Sequence, residues 1–317
     1  MVKKIPVLYL VVPCYNEELV LLDTANKLQG KMEALITEGK IANDSRILFV
    51  DDGSKDATYQ MITELHNNNQ LFSAVKLSRN RGQQNASLAG LTIAHQHADA
   101  AITIDADLQD DINAIDKMVE EYTNGAEIVY GVRSTRKKDT IFKRMSAHAF
   151  YKLMLKMGIE IVYDHSEFRL LSKTALDALF QYQESNIFVR GIVPQLGFKT
   201  AKVASPRLKR QAGESKYSVF KLLSLALDGI TSCSSKPLTL IFWLGFWFQL
   251  FGLAGLVTTT VLMFTINLHF MWVLISAMCW FTSLILLALG IIGFYLGKTY
   301  IETKRRPRFI IEEVLNK

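Results

Sequence analysis

The sequence predicts an α/β domain built on a parallel sheet, followed by an interfacial helix and two transmembrane helices. Two observations support this fold class. Between Ile5 and Tyr130, short apolar runs alternate with amphipathic stretches, as in parallel sheets whose strands are buried and covered by helices on both faces. From Pro237 to Gly297 the chain has no Lys, Arg, Asp or Glu, which is long enough for two spans of about 20 residues each.

The elements of the first domain follow from hydrophobic periodicity. Apolar runs predict strands over residues 5–12, 46–50, 73–77, 100–104 and 127–130, and helical spacing predicts intervening helices that end near residues 38, 66, 95 and 122. Further along, we predict a helix over 140–157, a short helix over 186–197 broken near Pro194, and a strand over 198–204. Right-handed crossovers bring the carboxyl ends of such parallel strands to one edge of the sheet.

Polar side chains follow the carboxyl end of each of the first five predicted strands. The clusters are Tyr15 and Glu17, Asp51 and Asp52, Arg79 and Asn80, Asp105 and Asp107, and Arg133. Because ligands of open α/β sheets bind at that edge, we expect these clusters to share one site. The plainer interpretations are a turn at residues 51–54 and a solvated helix cap at residues 105–107.

The stretch Asp105-Ala106-Asp107, continued by Gln109, suits a divalent cation. Oxygen ligands of this kind bind Mg²⁺ or Mn²⁺ beside a substrate phosphate. A lone D-x-D motif is a weak signal, and its convergence with the other strand-end clusters strengthens it. Neither G-x-G-x-x-G nor G-x-x-x-x-G-K-[ST] occurs in the chain, so nucleotide binding would depend on carboxylates, a metal and basic side chains.

Two later segments carry charged side chains that suit the same site. Asp164 and Glu167 stand near the start of another apolar stretch, where Glu167 could instead form a structural ion pair with Arg169. A basic loop over residues 207–217 precedes an amphipathic helix over 218–232. Cationic side chains placed there can meet lipid headgroups, a diphosphate, or both.

Basic residues flank the uncharged window on both sides, and the positive-inside rule then places both ends in the cytoplasm. The predicted organisation is a cytoplasmic domain over 1–215, a juxtamembrane amphipathic helix over 216–236, a two-helix hairpin over 237–297 and a cytoplasmic basic tail over 298–317. We therefore expect a multi-pass protein of the cytoplasmic (inner) membrane. The net charge of +6 favours membrane lipids over nucleic acid as the partner.

Seven motifs distributed along the chain carry a family resemblance. They are VVPCYNEE, FVDDGSKDAT, LSRNRGQQNASLAGL, DADLQDD, EFRLLSK, RLKRQAGESKY and YIETKRRPRFII. With them, the chain resembles the family-2 glycosyltransferases that act on polyprenyl phosphates, including the bactoprenol (undecaprenyl-phosphate) glucosyltransferases and, more distantly, dolichol-phosphate mannose synthase. The resemblance implies a GT-A (Rossmann-like) nucleotide-sugar-binding domain and a homo-oligomer. It also implies inverting transfer of a hexose, glucose or N-acetylglucosamine, from a UDP-sugar to undecaprenyl phosphate for cell-envelope glycan modification.

The resemblance also implies roles for individual residues. The donor-binding residues would be Pro13, Tyr15, Glu17 and Asp52 at the nucleoside, Asp105, Ala106 and Asp107 along the donor, and Arg133, Arg210 and Lys216 at the diphosphate or lipid phosphate. The metal ligands for Mg²⁺ or Mn²⁺ would be Asp107, Gln109 and Asp105. The catalytic candidates would be Glu167, Asp164 and Asp107. Here Ser166-Glu167 stands where the family has Gly-Asp, so Asp164 is the reserve for Glu167.

Three alternatives accompany this interpretation. A processive polysaccharide synthase is disfavoured because the chain lacks the Q-x-x-R-W motif and further spans. Mannose transfer from GDP-mannose stays open, since the sequence does not specify the sugar. A non-catalytic, membrane-anchored protein that binds nucleotide sugars also stays open, because the Ser166-Glu167 pair departs from the family pattern.

Overall fold

The computed structural model describes residues 5–132, 157, 165–184, 187–206 and 270–316, with eight single positions between 238 and 254. The strands are β1 (Leu8–Cys14), β2 (Arg46–Asp51), β3 (Phe72–Leu77), β4 (Ala100–Thr103), β5 (Ile128–Val132), β6 (His165–Ser172), β7 (Thr200–Ala204) and β8 (Ile311–Leu315). The helices are α1 (Leu21–Thr37), α2 (Thr58–Asn68), α3 (Gln83–His97), α4 (Ala114–Thr123), α5 (Lys173–Leu179), α6 (Val189–Gln195) and α7 (Phe270–Thr303).

Among these residues, one sheet orders the strands β7-β5-β6-β4-β1-β2-β3-β8 and carries helices on both faces. Alternation along β1 shows how the core is divided: Leu8, Leu10 and Val12 pack with α1, α2 and α4, whereas Tyr9 and Val11 pack with α3, α5 and α6. Successive strand side chains point to opposite faces, and burying a Leu or Val fully stabilises the fold by about 1.5–3 kcal/mol. Nearly continuous apolar strands are therefore required.

The sheet is mixed, so the prediction of a parallel sheet is wrong in part. β1 pairs in parallel with β2 and β4, and β2 with β3, but β6 runs antiparallel to both β4 and β5. β8 is also antiparallel, against β3. A buried strand has the same apolar pattern whatever the direction of its neighbours, so periodicity did not reveal the reversal. One consequence matters for the site: β6 begins at the edge where β4 and β5 end.

The predicted elements before residue 130 are confirmed. All five strands and the four helices between them are present, and the strand ends differ from prediction by at most three residues. The short helix predicted over 186–197 is α6, with Pro194 inside it one residue before its end, and the predicted strand over 198–204 is β7. The helices predicted over 140–157 and 218–232 and the first predicted span lie outside the described residues, apart from single positions.

The second predicted span lies within α7, a helix of 34 residues. Large apolar side chains along it are exposed, including Met278, Ile285, Leu289 and Leu296. Among the described residues, no helix is both long enough and apolar enough to cross a membrane.

The tail predicted over 298–317 contains a strand that the sequence analysis did not assign. Residues of β8 pair with β3 in the register Val75↔Val314. Side chains add to this attachment, because the Asn316 amide oxygen accepts hydrogen bonds from the hydroxyls of Ser73 (2.9 Å) and Tyr9 (3.3 Å). The segment after α7 is therefore an edge strand of the same sheet as the candidate site.

Candidate functional site

The loops that follow β1 and β2 are joined by hydrogen bonds at the carboxyl edge. The backbone N–H of Asn16 donates to Ser54 Oγ at 3.0 Å, and the backbone N–H of Lys55 donates to Asn16 Oδ1 at 2.9 Å. The Glu17 amide donates to Thr58 Oγ1 at 2.9 Å. Asn16 adopts φ +52°, a left-handed conformation that Asn tolerates better than most residues. The two loops thus form one unit.

Three predicted nucleoside-binding residues belong to this unit. Pro13 is near the end of β1 opposite Val50 of β2, and Tyr15 and Glu17 follow in the loop. All three are half-buried. The structure therefore brings them together beside the β2 loop, and their contact with a nucleoside stays a prediction.

Asp52 stabilises the loop after β3 through hydrogen bonds to its backbone. Its side chain is 2% exposed, and its two carboxylate oxygens accept hydrogen bonds from the backbone amides of Arg81 (2.7 Å) and Gly82 (2.8 Å). Burial raises the pKa of Asp52, whereas these two hydrogen bonds oppose the increase. The predicted turn is also present, because Asp51 accepts from the Ser54 amide at 3.2 Å. Nucleoside binding by Asp52 stays a prediction alongside this role.

Gly53 lets the β2 and β3 loops touch. It has φ +68°, and a Cβ added there would lie 2.7 Å from both the Arg79 carbonyl carbon and the Asn80 nitrogen. Both atoms belong to the backbone and cannot rotate away. Only glycine therefore fits between Asp52 and the loop that Asp52 holds.

We expect Gly53→Ala to lower the free energy of unfolding by about 2–4 kcal/mol, because strained backbone and a steric clash add. Gly39→Ala is the matched control, since Gly39 has φ +66° but a Cβ added there would meet nothing within 4 Å. Denaturant unfolding of both variants separates strain from clash. Equal destabilisation by the two substitutions would show that the contact with Arg79 and Asn80 is unimportant.

The Asp105–Asp107 segment is anchored from two sides. The Gln83 side-chain amide donates to Asp105 Oδ1 at 2.6 Å, and the Ala106 carbonyl accepts from Thr24 Oγ1 of α1 at 2.6 Å. The Ala106 side chain is 5% exposed. Ala106 therefore packs in the core with its carbonyl already engaged, so it is placed beside the site and any donor contact from it stays a prediction.

The rest of the acidic loop is folded back on itself. Asp107 Oδ1 accepts a hydrogen bond from the backbone N–H of Gln109 at 3.3 Å. The backbone N–H of Asp111 donates to Ser205 Oγ, just after β7, at 3.0 Å. Gln109 and Asp110 are 8% and 6% exposed. The loop therefore presents half-buried carboxylates of Asp105 and Asp107 from a fixed backbone.

Negative charge accumulates in this loop. Burial and the neighbouring carboxylates of Asp110, Glu167 and Asp107 raise the pKa of Asp105 to about 7, and the Arg190 guanidinium opposes the increase. Such an excess of oxygen ligands and negative charge fits a hard divalent cation. Within the described ranges, no group of three or more His, Cys, Asp or Glu is arranged to hold a metal by itself. Mg²⁺ in particular is usually held by one or two carboxylates together with substrate phosphates.

The raised pKa of Asp105 predicts a pH-dependent stability for the metal-free protein. Asp105 binds its proton more tightly in the folded state than in the unfolded state. Its favourable contribution to the free energy of unfolding is therefore fully present below about pH 4 and is lost as the pH rises through about 7. We expect Asp105→Asn, which can still accept from Gln83, to raise the free energy of unfolding by ~2 kcal/mol at pH 8, after allowance for solvent screening, and hardly at pH 4.

Unfolding in mild detergent with a chelator measures this effect, and Asp23→Asn on the exposed side of α1 is the control. The same difference between variant and wild type at pH 4 and pH 8 would contradict the assignment of the titration to Asp105.

Glu167 lies at the centre of a group of ion pairs. Its Oε2 contacts Arg169 Nη2, and its Oε1 lies 2.5 Å from Arg190 Nε. The β4–β6 register pairs Thr103 with Arg169, and the Glu167 carboxylate lies near enough to Asp105 to raise the pKa of that carboxyl. The ion pair with Arg169, which the sequence analysis gave as the alternative for Glu167, is therefore present. Glu167 also belongs to the edge that carries the acidic loop.

Sequence reasoning missed Arg190. The available signal was its isolation, because Arg190 is the one charged residue between Glu184 and Lys199. Four predicted site residues, Arg133, Asp164, Arg210 and Lys216, lie outside the described residues. Their placement at the site stays a prediction.

The chain is similar to several known proteins. The family model described as "Glycosyl transferase family 2" matches residues 9–180. "Uncharacterized glycosyltransferase YkoT" of Bacillus subtilis is 46% identical over 97% of this chain and 91% of its own length. "Bactoprenol glucosyl transferase" of Shigella phage SfX is 35% identical over 96% of this chain and 98% of its own length.

A solved structure resembles the fold more distantly. The crystal structure of mannosyl-3-phosphoglycerate synthase from Rubrobacter xylanophilus superposes with a TM-score of 0.48 and 13% identity, over 70% of this chain and 71% of that one. That likeness transfers neither a substrate nor a metal to this chain.

Proposed function

Because this chain belongs to glycosyl transferase family 2 and is a glycosyltransferase, we propose that it transfers a hexose from a nucleotide diphosphate sugar to undecaprenyl phosphate, with inversion at the sugar carbon. The observation that carries the proposal is the meeting of Asp105, Asp107 and Glu167 at one sheet edge. Whole-length similarity to a phage bactoprenol glucosyl transferase supports a polyprenyl acceptor. Glucose and N-acetylglucosamine, carried by UDP, are the favoured sugars.

Asp105, Asp107 and Gln109 are the residues that would hold Mg²⁺ or Mn²⁺. Such a cation acts as a Lewis acid that neutralises charge on the leaving diphosphate. The loop anchored by Thr24 and Ser205 sets the positions of the ligands in advance, so little reorganisation is needed when the donor binds. The β1 and β2 loops beside it would hold the nucleoside.

The acceptor needs little activation by a base. A lipid phosphate oxygen is already anionic near neutral pH, unlike a sugar hydroxyl, so proton removal is not the main barrier. Glu167 has both carboxylate oxygens engaged by guanidinium groups, which suits an electrostatic and positioning role better than proton abstraction. Catalysis would then come mainly from holding two mutually repelling phosphates in line, to which Arg133, Arg210 and Lys216 would contribute. Asp164 is the alternative candidate for the role of Glu167.

The enzyme would work at the cytoplasmic leaflet of the inner membrane. The window from Pro237 to Gly297 without charged residues, the basic residues on both sides of it and the exposed apolar side chains of α7 support two spans with the sheet domain and both termini in the cytoplasm. Membrane lipids would surround these spans, and a homo-oligomer follows from the family resemblance. The product would be a lipid-linked sugar for modification of a cell-envelope glycan.

A donor panel tests the proposal. Membranes containing the full-length protein are supplied with undecaprenyl phosphate and radiolabelled UDP-glucose, UDP-N-acetylglucosamine, UDP-galactose or GDP-mannose, in the presence of Mg²⁺ or Mn²⁺. We expect label in the lipid extract with one of these donors, which also names the sugar. No lipid-linked product with any of the four would contradict the enzyme and favour a non-catalytic nucleotide-sugar-binding protein.

A further inference from the structure

Arg190 is the outer member of the Glu167 ion-pair group. The Arg169 side chain is 2% exposed, that of Glu167 is 22% exposed and that of Arg190 is 39% exposed. Two guanidinium groups therefore share the Glu167 carboxylate, one of them buried and the other partly exposed.

The two arginines differ in their ability to change partners. If Arg169 left Glu167, a charge would stay buried without compensation, which is strongly unfavourable. The Arg190 side chain is 39% exposed, so water can solvate its guanidinium, and breaking its ion pair with Glu167 costs less than breaking the buried pair. Glu167 would keep Arg169 as its partner after such an exchange. An incoming anion can therefore displace Glu167 from Arg190 without disturbing the buried pair.

The backbone next to Arg190 is held against the N-terminal end of α3 by hydrogen bonds. The Ile187 carbonyl accepts a hydrogen bond from the Gln84 side-chain amide, and the Val189 amide donates to Gln84 Oε1 at 3.4 Å. Gln84 is the second residue of α3, directly after the loop that Asp52 holds. Ile192 and Val193, at 3% and 0% exposure, anchor the other side of α6 in the core.

The charge of Arg190 also acts on the predicted metal-binding loop. The guanidinium lies near enough to Asp105 to lower the pKa of that carboxyl against the effect of its acidic neighbours. A phosphate placed between Arg190 and the Asp105–Asp107 loop would contact a fork of N–H donors on one side. Guanidinium groups bind phosphate oxygens with two parallel hydrogen bonds, which ammonium groups cannot reproduce.

We propose that Arg190 is a phosphate-binding residue of the transfer site, and that its guanidinium exchanges the Glu167 carboxylate for substrate phosphate oxygens. The proposal rests on the proposed glycosyl transfer. The phosphate belongs either to the donor diphosphate or to the lipid phosphate of the acceptor, which present the same chemistry. Separate binding measurements distinguish these two sources.

The variants are Arg190→Gln, Arg190→Lys and the control Lys117→Gln, which removes one positive charge from an exposed position on α4. Three quantities are measured on the full-length protein: the Kd of inorganic pyrophosphate with Mg²⁺, the KM of the nucleotide sugar selected by the donor panel, and the KM of undecaprenyl phosphate. We expect Arg190→Gln to raise at least one of them roughly 10- to 100-fold. Arg190→Lys should recover only part of the loss, and Lys117→Gln should match wild type.

The pattern of change assigns the phosphate. Increases in the pyrophosphate Kd and the nucleotide-sugar KM assign Arg190 to the donor, an increase in the lipid-phosphate KM assigns it to the acceptor, and increases in all three assign it to both. Values within twofold of wild type, or a fall in kcat alone, would overturn the proposal. Wild-type protein that binds pyrophosphate but transfers no sugar would contradict the proposed function, while the pyrophosphate comparison would still test Arg190.

Discussion

Replacing Asp107 with alanine should lower the rate of sugar transfer roughly 1000-fold while leaving the protein in the membrane fraction. Asp107 is half-buried in a loop whose backbone is fixed at Thr24 and Ser205, so its carboxylate can be removed without unfolding the sheet. The loss corresponds to about 4 kcal/mol of transition-state stabilisation, the order expected when a metal ligand at a developing charge is lost.

The initial rate of lipid-linked product at saturating donor and acceptor measures this effect, over a range of Mn²⁺ concentrations. Asp44→Ala is the matched control, because Asp44 is an exposed carboxylate before β2 at the opposite edge of the sheet. Near-normal activity of Asp107→Ala would remove the basis for the metal assignment. Absence of the variant from the membrane fraction would contradict the expectation that the protein folds without the Asp107 carboxylate.

Glu167→Gln should reduce both stability and activity, for separate reasons. The Arg169 guanidinium is buried. Besides its ion pair with the Glu167 carboxylate, its Nε makes a long contact of 3.5 Å with the backbone carbonyl oxygen of Glu167. Within the described part of the chain, its Nη1 has no hydrogen-bond partner. Removing the carboxylate would leave a buried charge uncompensated, which costs about 3–5 kcal/mol and should lower the Tm by roughly 6–20 °C for a domain of this size.

A double variant separates the two effects of Glu167. Glu167→Gln combined with Arg169→Met removes both charges, so most of the lost Tm should return, whereas transfer activity should stay low because the carboxylate at the site is still missing. Glu120→Gln on the exposed side of α4 is the control for the substitution itself. Recovery of activity together with Tm would mean that Glu167 has only a structural role.

The sequence by itself determined the parts that depend on local pattern. The period of apolar residues identified β1 to β5 and α1 to α4. The acids and amides after these strands marked the edge that carries the candidate site. The D-x-D stretch lies in a loop after β4, as predicted, since charged residues directly after a buried strand have to leave the core. Its role in metal binding stays a prediction. The ion pair of Glu167 with Arg169 was also within reach, because two residues on alternate strand positions lie on one face.

Only the tertiary structure decided the strand directions and the long-range partners. The reversal of β6, which brings Glu167 near Asp105, leaves no trace in a buried apolar strand, because burial sets the pattern and direction does not. The pairing of β8 with β3 joins residues more than 230 positions apart. Arg190 reaches Glu167 across 23 positions from a different element. Such contacts depend on how separate elements pack together, and no local period encodes that arrangement.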